Sequence, residues 1–151
     1  MSTIATKHLV HAPAASAGRF LEGYVAEQPA RDGGVRIVLR AHGLARPAIV
    51  SLTPAQRPQD MAPRYTVHWE AESTDRYPVF DGILSIEGSD DYDEFRLALH
   101  GTYRPPLGLA GAAFDAIVGN RIATQTGTEL LTAMADDIER RFADQEASKR
   151  H

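Results

Sequence analysis

The stretch GTYRPPLGLAGAAFDAIVG, residues 101–119, decides how this chain folds. It begins in a predicted strand, over 95–103, whose apolar side chains alternate, and it ends in the longest predicted helix. Between them, Arg104-Pro105-Pro106 stops the strand, because proline has no backbone N–H to donate to a sheet. The first turns of the helix then consist almost entirely of small residues: Gly108, Ala110, Gly111, Ala112 and Ala113. Either this helix lies unusually close to a sheet, or another molecule fills the space between them.

The helix carries two apolar stripes. One face has a small first half and a large second half, formed by Ala112, Ala113, Ala116, Ala123 and Gly127 and then by Leu130, Leu131, Met134, Ile138 and Phe142. The nearly opposite face carries Phe114, Ile117, Val118 and Ile122. One straight helix cannot bury both stripes against one sheet, so the pattern favours a kink or a break at Gly119-Asn120. Alternatively, the first part of the helix is straight and is covered by other parts of the protein on both sides. Residues 143–151 are predicted to form a frayed tail.

Most of the remaining chain has the pattern of antiparallel strands. The clearest strand is YTVHWEAES, residues 65–73, in which apolar odd positions alternate with polar even positions. Further strands are predicted over 3–12, 35–40, 48–53, 79–87 and 95–103, and a helix over 14–27. Because no helix separates the central strands, a doubly wound parallel fold is excluded. We expect one α+β domain, residues 1–151, in which the C-terminal helix covers an antiparallel sheet.

Composition narrows the function. The chain has 151 residues and no cysteine, which excludes disulfides and thiolate catalysis. Its 16 basic residues are scattered and outnumbered by 20 acidic ones, which argues against a nucleic-acid partner. The six histidines show no metal-binding spacing, so we expect neither a metal nor a cofactor. No apolar run approaches the about 20 residues of a membrane span, and no signal-peptide pattern is present, so we expect a cytoplasmic protein that is not integral to a membrane.

Four segments carry a resemblance to a known superfamily: HWEA (68–71), YPVFDGILSI (77–86), GTYRPPLGLAG (101–111) and FDAIVGNRIA (114–123). In them the chain resembles the START/Bet v 1-like (SRPBCC) superfamily, which includes polyketide cyclases and lipid-transfer domains. It is most similar to bacterial members without an assigned function. The resemblance implies a helix-grip fold, in which a curved sheet of about six or seven strands wraps around a long C-terminal helix. It also implies an apolar cavity between sheet and helix, which in various members holds lipids, isoprenoids, sterols or polyketides.

With this resemblance, the small half of the helix face predicts a cavity under residues 109–127 that is closed at its far end by large side chains. The predicted ligand-binding residues are Val67, Trp69, Phe80, Leu84, Leu97, Leu99, Tyr103, Ala112, Ala116 and Ala123. The polar tips of Tyr65, Trp69 and Tyr103 are the expected hydrogen-bond partners of a ligand. Close packing of the helix on the sheet explains the same small residues without a cavity.

Three functions fit these observations. The first is binding or carrying a hydrophobic small molecule, such as a lipid, an isoprenoid or a polyketide-like compound. The second is an enzyme of the polyketide cyclase/dehydratase type, although no acidic residue lies at an inward position of the clear strands, and the superfamily shares no catalytic residue set that could be transferred. The third is an interaction module or homodimer formed through Phe114, Ile117, Val118 and Ile122.

Overall fold

The computed structural model describes residues 2–40, 47–55, 62–71, 79–104 and 116–149. These residues form an α+β domain with a seven-stranded antiparallel sheet, within the six or seven strands that the resemblance implies. Its strands are β1 (Ser2–Val10), β2 (Ala30–Arg31), β3 (Gly34–Leu39), β4 (Ala48–Pro54), β5 (Tyr65–Ala71), β6 (Val79–Gly88) and β7 (Phe95–Arg104). The helices are α1 (Ala17–Ala26), which follows a short 3-10 turn at Ala14–Ser16, and α2 (Ala116–Ser148). Neither helix is both long and apolar enough to cross a membrane, within the described ranges.

The strand order is β1-β7-β6-β5-β4-β3-β2, so the first strand is hydrogen-bonded to the last. The strands from β2 to β7 follow one another as hairpins, and α1 connects β1 at one edge to β2 at the other. The turn between β2 and β3 is formed by Asp32 and Gly33, both with positive φ, which matches the Asp-Gly pair favoured in two-residue hairpins. β3, β5 and β7 end, and β4 and β6 begin, at the same end of the sheet, which we call the upper end.

The alternation in β5 separates the two faces of the sheet as predicted. Tyr65, Val67 and Trp69 are buried on the inner face, whereas Thr66 and Glu70 are exposed on the outer face. The adjacent strands continue both faces, because the register places Val67 opposite Gly82 and Trp69 opposite Phe80. One apolar core therefore lies on the inner side of the sheet.

Helix α2 runs parallel to β1 and lies across β1 and β7. The hydroxyl of Thr128 is 3.3 Å from that of Thr6, and farther along both elements the backbone N–H of His11 donates to Glu139 at 2.8 Å. The N-terminal half of α2 therefore lies towards the upper end of the sheet. The helix passes through Gly119 and Asn120 without interruption, so the predicted break is absent.

The C-terminus of α2 differs from the sequence prediction, because residues 143–148 are helical rather than a frayed tail. Contacts with α1 explain the difference. The rings of Phe20 and Phe142 meet edge to face with centroids 6.1 Å apart, and Arg19 donates to Gln145 at 3.2 Å. These contacts hold the last turns of α2 against α1.

An ion-pair cluster also joins the two helices. The guanidinium of Arg141 on α2 donates to both carboxylate oxygens of Glu27, at the end of α1, and to Asp137 one turn earlier. The hydrogen bond from Arg141 lowers the pKa of the Glu27 carboxyl below its ordinary value. Burial and, secondly, the charge of Asp137 raise the pKa of the nearby Tyr24 to about 12. The cluster therefore favours a charged Glu27 and a neutral Tyr24 in the folded protein.

Candidate functional site

Three aromatic side chains form a row across the inner face near the upper end of the sheet. Trp69 on β5 is paired with Phe80 on β6, and Phe80 is paired with Tyr103 on β7. Trp69 and Phe80 are 0% exposed and Tyr103 is 3% exposed. The sheet therefore places Trp69 and Phe80, its two largest fully buried side chains, at the end towards which the N-terminal half of α2 extends.

A pair of glycines makes room for Phe80. Gly82 and Gly101 lie directly opposite each other on β6 and β7. A β-carbon on Gly82 would lie 2.4 Å from Phe80 Cζ, and one on Gly101 would lie 2.7 Å from the same atom. Each β-carbon would also lie 2.3 Å from a backbone oxygen of the neighbouring strand. Only glycine fits at these two positions, and the Phe80 ring rests on the bare backbone.

Trp69 connects this aromatic layer to the helix. Its indole stacks on the Phe80 ring, with centroids 4.0 Å apart and planes inclined by 15°. A β-carbon on Gly127 of α2 would lie 3.6 Å from Trp69 Cη2. The indole is thus held against Phe80 on the sheet and against α2. Its Nε1–H group is buried without a hydrogen-bond partner in the part of the chain that the structure describes.

At Gly127, helix and sheet are in close contact. A β-carbon there would lie 3.1 Å from Leu99 Cδ2 and 3.2 Å from Thr6 Cγ2, tighter than most side-chain contacts. Close packing therefore explains the small residue at this position, and the predicted cavity under residues 109–127 does not reach its last residue. The far end is filled as predicted, because Leu131, Met134 and Ile138 are fully buried and Phe142 packs against the core.

The predicted ligand-binding residues fall into two groups. Those on the sheet are all buried on one inner face, together with Ala123 of α2: Val67, Trp69, Phe80, Leu84, Leu97, Leu99 and Tyr103. Ala112 lies outside the described residues, and Ala116 begins α2 with a side chain that is not described. That any of these residues contacts a ligand stays a prediction.

The second apolar stripe is not simply an exposed face. Phe114 lies outside the described residues, and the side chains of Ile117 and Val118 are not described. Ile122 is half-buried and packs against the hydrophobic core, because α2 is partly covered on this side as well. The alternative that the first part of the helix is covered on both sides therefore fits at Ile122, and a homodimer through this stripe stays a prediction.

One polar pair on the outer face was not predicted from the sequence. His68 and Asp81 are opposite each other on β5 and β6, with His68 Nδ1 2.8 Å from Asp81 Oδ1. Their outward phase is visible in the sequence, but the register that makes them neighbours is not. Both remain substantially exposed, at 40% and 59%, so the pair contributes little to stability.

Several solved structures share this fold. XoxI from Bacillus cereus matches with a TM-score of 0.57 and 12% identity, over 97% of this chain and 99% of its own. A conserved protein from Geobacillus kaustophilus matches with a TM-score of 0.55 and 10% identity, over 95% and 96% of the two chains. A START superfamily protein from Mycobacterium smegmatis matches with a TM-score of 0.53 and 15% identity, over 95% and 98%. No protein-family model and no curated protein sequence matches the chain. The structure thus has the helix-grip fold of START-like proteins.

Proposed function

We propose that this protein binds a hydrophobic small molecule between the inner face of the sheet and the N-terminal half of α2. The observation that carries the proposal is the buried row of Trp69, Phe80 and Tyr103, which lies towards the half of the helix that contributes small side chains. Ligand sites are typically concave and apolar, with aromatic walls and a few polar groups. The START-like fold supports a site in this place.

The packing along α2 limits where the molecule would lie. Gly127 presses on Leu99, and the helix beyond it is packed with large side chains. Ala123 lies one turn before Gly127 on the same helix face, nearer the upper end of the sheet, and is fully buried. We therefore place the ligand on the upper side of Gly127, with Ala123 above it.

The described lining contains no buried histidine or carboxylate side chain, which favours holding a molecule over moving protons. Its buried polar groups include the hydroxyl of Thr126, which donates to the carbonyl of Ile122 at 2.8 Å, and the indole N–H of Trp69. Neither group exchanges protons near neutral pH. The proposal is accordingly for a binder or carrier of a lipid, isoprenoid or polyketide-like compound. The cytoplasmic location expected from the sequence goes with it and is tested by cell fractionation.

The first test is mass spectrometry of protein purified without detergent. We expect the native mass to exceed the denatured mass by one apolar molecule, which organic extraction recovers. Ala123→Phe should lower the occupancy while leaving the protein folded, because the ring takes the ligand's space. Ala133→Phe, on the exposed side of α2, is the matched control and should keep full occupancy.

Two results would contradict the proposal. One is wild-type protein with identical native and denatured masses. The other is Ala123→Phe that keeps its ligand, or that loses about 1–3 kcal/mol of stability as expected for overpacking a filled interior.

A further inference from the structure

The indole of Trp69 leaves a hydrogen-bond donor unused in the core. The side chain is fully buried, and its Nε1–H has no partner in the described part of the protein. Buried polar groups in native proteins are nearly always hydrogen-bonded, because an unpaired donor has lost its water without compensation. A single unpaired donor in an apolar region therefore requires an explanation.

The ring has little freedom to find a partner by moving. One face stacks on Phe80 with centroids 4.0 Å apart, and Phe80 itself rests on the backbone of Gly82 and Gly101. The far edge of the indole lies against Gly127 of α2. Rotating the ring would break the stack and collide with the helix. Because the nitrogen is also closed off from solvent, a partner can reach it only when the surrounding core side chains move apart to admit it.

We propose that Trp69 Nε1–H donates a hydrogen bond to a neutral oxygen of the bound molecule. This inference rests on the proposed function and narrows it. Indole nitrogen is a donor only, so the ligand must present an acceptor. Among the described residues, the charged side chains lie outside the buried set, so a carboxylate would enter the core without a counter-charge, at a high cost. The ligand class is thus an apolar body that carries a ketone, ether or hydroxyl oxygen, and a plain hydrocarbon is a poorer fit.

Two probes with the same naphthalene body test the inference: 2-acetylnaphthalene, which carries a ketone oxygen, and 2-ethylnaphthalene, which lacks that oxygen. The chain contains one tryptophan, so its indole N–H gives one NMR signal that needs no assignment by mutation. We expect the ketone to move this proton downfield and the ethyl compound to leave its hydrogen bonding unchanged. We further expect the preference for the ketone to fall about 3- to 10-fold in Trp69→Phe, which corresponds to one neutral hydrogen bond.

The ratio of the two probes' affinities is measured for the wild type and for Trp69→Phe. Comparing the two ratios cancels the difference in hydration free energy between the probes. If Trp69→Phe does not fold, the NMR shift in the wild-type protein still decides. Binding of both probes with no downfield shift on the ketone, or with an unchanged preference in Trp69→Phe, overturns the role of Trp69 and leaves the proposed function standing. Failure of both probes to bind the wild-type protein contradicts the proposed function and this inference with it.

Discussion

Gly127→Ala measures how closely α2 presses on the sheet, because the added methyl group would meet three side chains at once. The substitution has a favourable part: alanine in a helix interior is better than glycine by about 0.5–1 kcal/mol. It also has an unfavourable part. The new β-carbon would lie 3.1 Å from Leu99 Cδ2 and 3.2 Å from Thr6 Cγ2. Leu99 is 1% exposed and cannot yield without disturbing the core, and overpacking of this kind costs about 1–3 kcal/mol. We expect a net loss of about 1 kcal/mol.

Gly23→Ala is the matched control, because it makes the same change in the interior of α1. Among the residues that the structure describes, a β-carbon there would meet only Arg141 Nη1, at an ordinary distance of 3.7 Å. This variant should therefore show the helix preference alone and gain about 0.5–1 kcal/mol. The difference between the two variants removes the helix term and isolates the packing term at Gly127.

The assay is urea unfolding followed by far-UV circular dichroism at neutral pH, with the free energy of unfolding extrapolated to water. If Gly127→Ala and Gly23→Ala change the free energy of unfolding by the same amount, the expected packing cost at Gly127 is refuted. It would mean that Leu99 and Thr6 give way freely, so that helix and sheet are not in firm contact and the lower boundary of the proposed site is wrong.

Two further predictions concern the cluster between the helices. Because the pKa of Glu27 is lowered in the folded protein, its contribution to stability is present above its ordinary pKa and disappears as the pH falls through the folded-state pKa. Urea unfolding between pH 3 and 7 should therefore show Glu27→Gln less stable than the wild type at pH 7 and equally stable at the acid end. A stability difference that does not change with pH would contradict this. Because the pKa of Tyr24 is raised from 10.0 to about 12, its contribution is intact below pH 10 and is lost as the pH rises through 12, by about 3 kcal/mol in total. At pH 11 the absorbance at 295 nm should show Tyr24 about 10% ionised, measured as the difference from Tyr24→Phe, and an ionisation of about 90% would mean that the phenol is unperturbed.

The strands and the faces of the sheet could be predicted from the sequence because they depend on local alternation. Trp69 is inward since every second residue of β5 is apolar, and no distant contact is needed to see this. The large side chains at the C-terminal end of the core were likewise predicted from one helical stripe. Both are patterns within a single element.

The contacts between elements could not be predicted in this way. That Phe80 lies on Gly82 and Gly101 depends on the register of two strands, which local patterns do not fix. Residues 143–151 were predicted to fray because they lie at the end of the sequence, but α1 supplies Arg19 and Phe20, which hold the last turns of α2. Gly127 appeared as one of several small residues, and only its neighbours on β1 and β7 show that it serves close packing rather than a cavity.

The pairing of β1 with β7 also affects how the protein is made. Ser2 lies opposite Tyr103, so β1 leaves the ribosome about 90 residues before its partner strand, which at typical translation rates is a delay of roughly 5–20 s. During that interval the hairpins from β2 to β6 can form from neighbouring segments, but β1 has no strand to join, and its backbone and its apolar side chains Ile4 and Val10 are open to other chains. Helix α2, which packs on β1, is made later still. The proposed ligand site is therefore closed only after α2 has been made and has packed on β1, and a molecule bound there would have to enter at that stage or later.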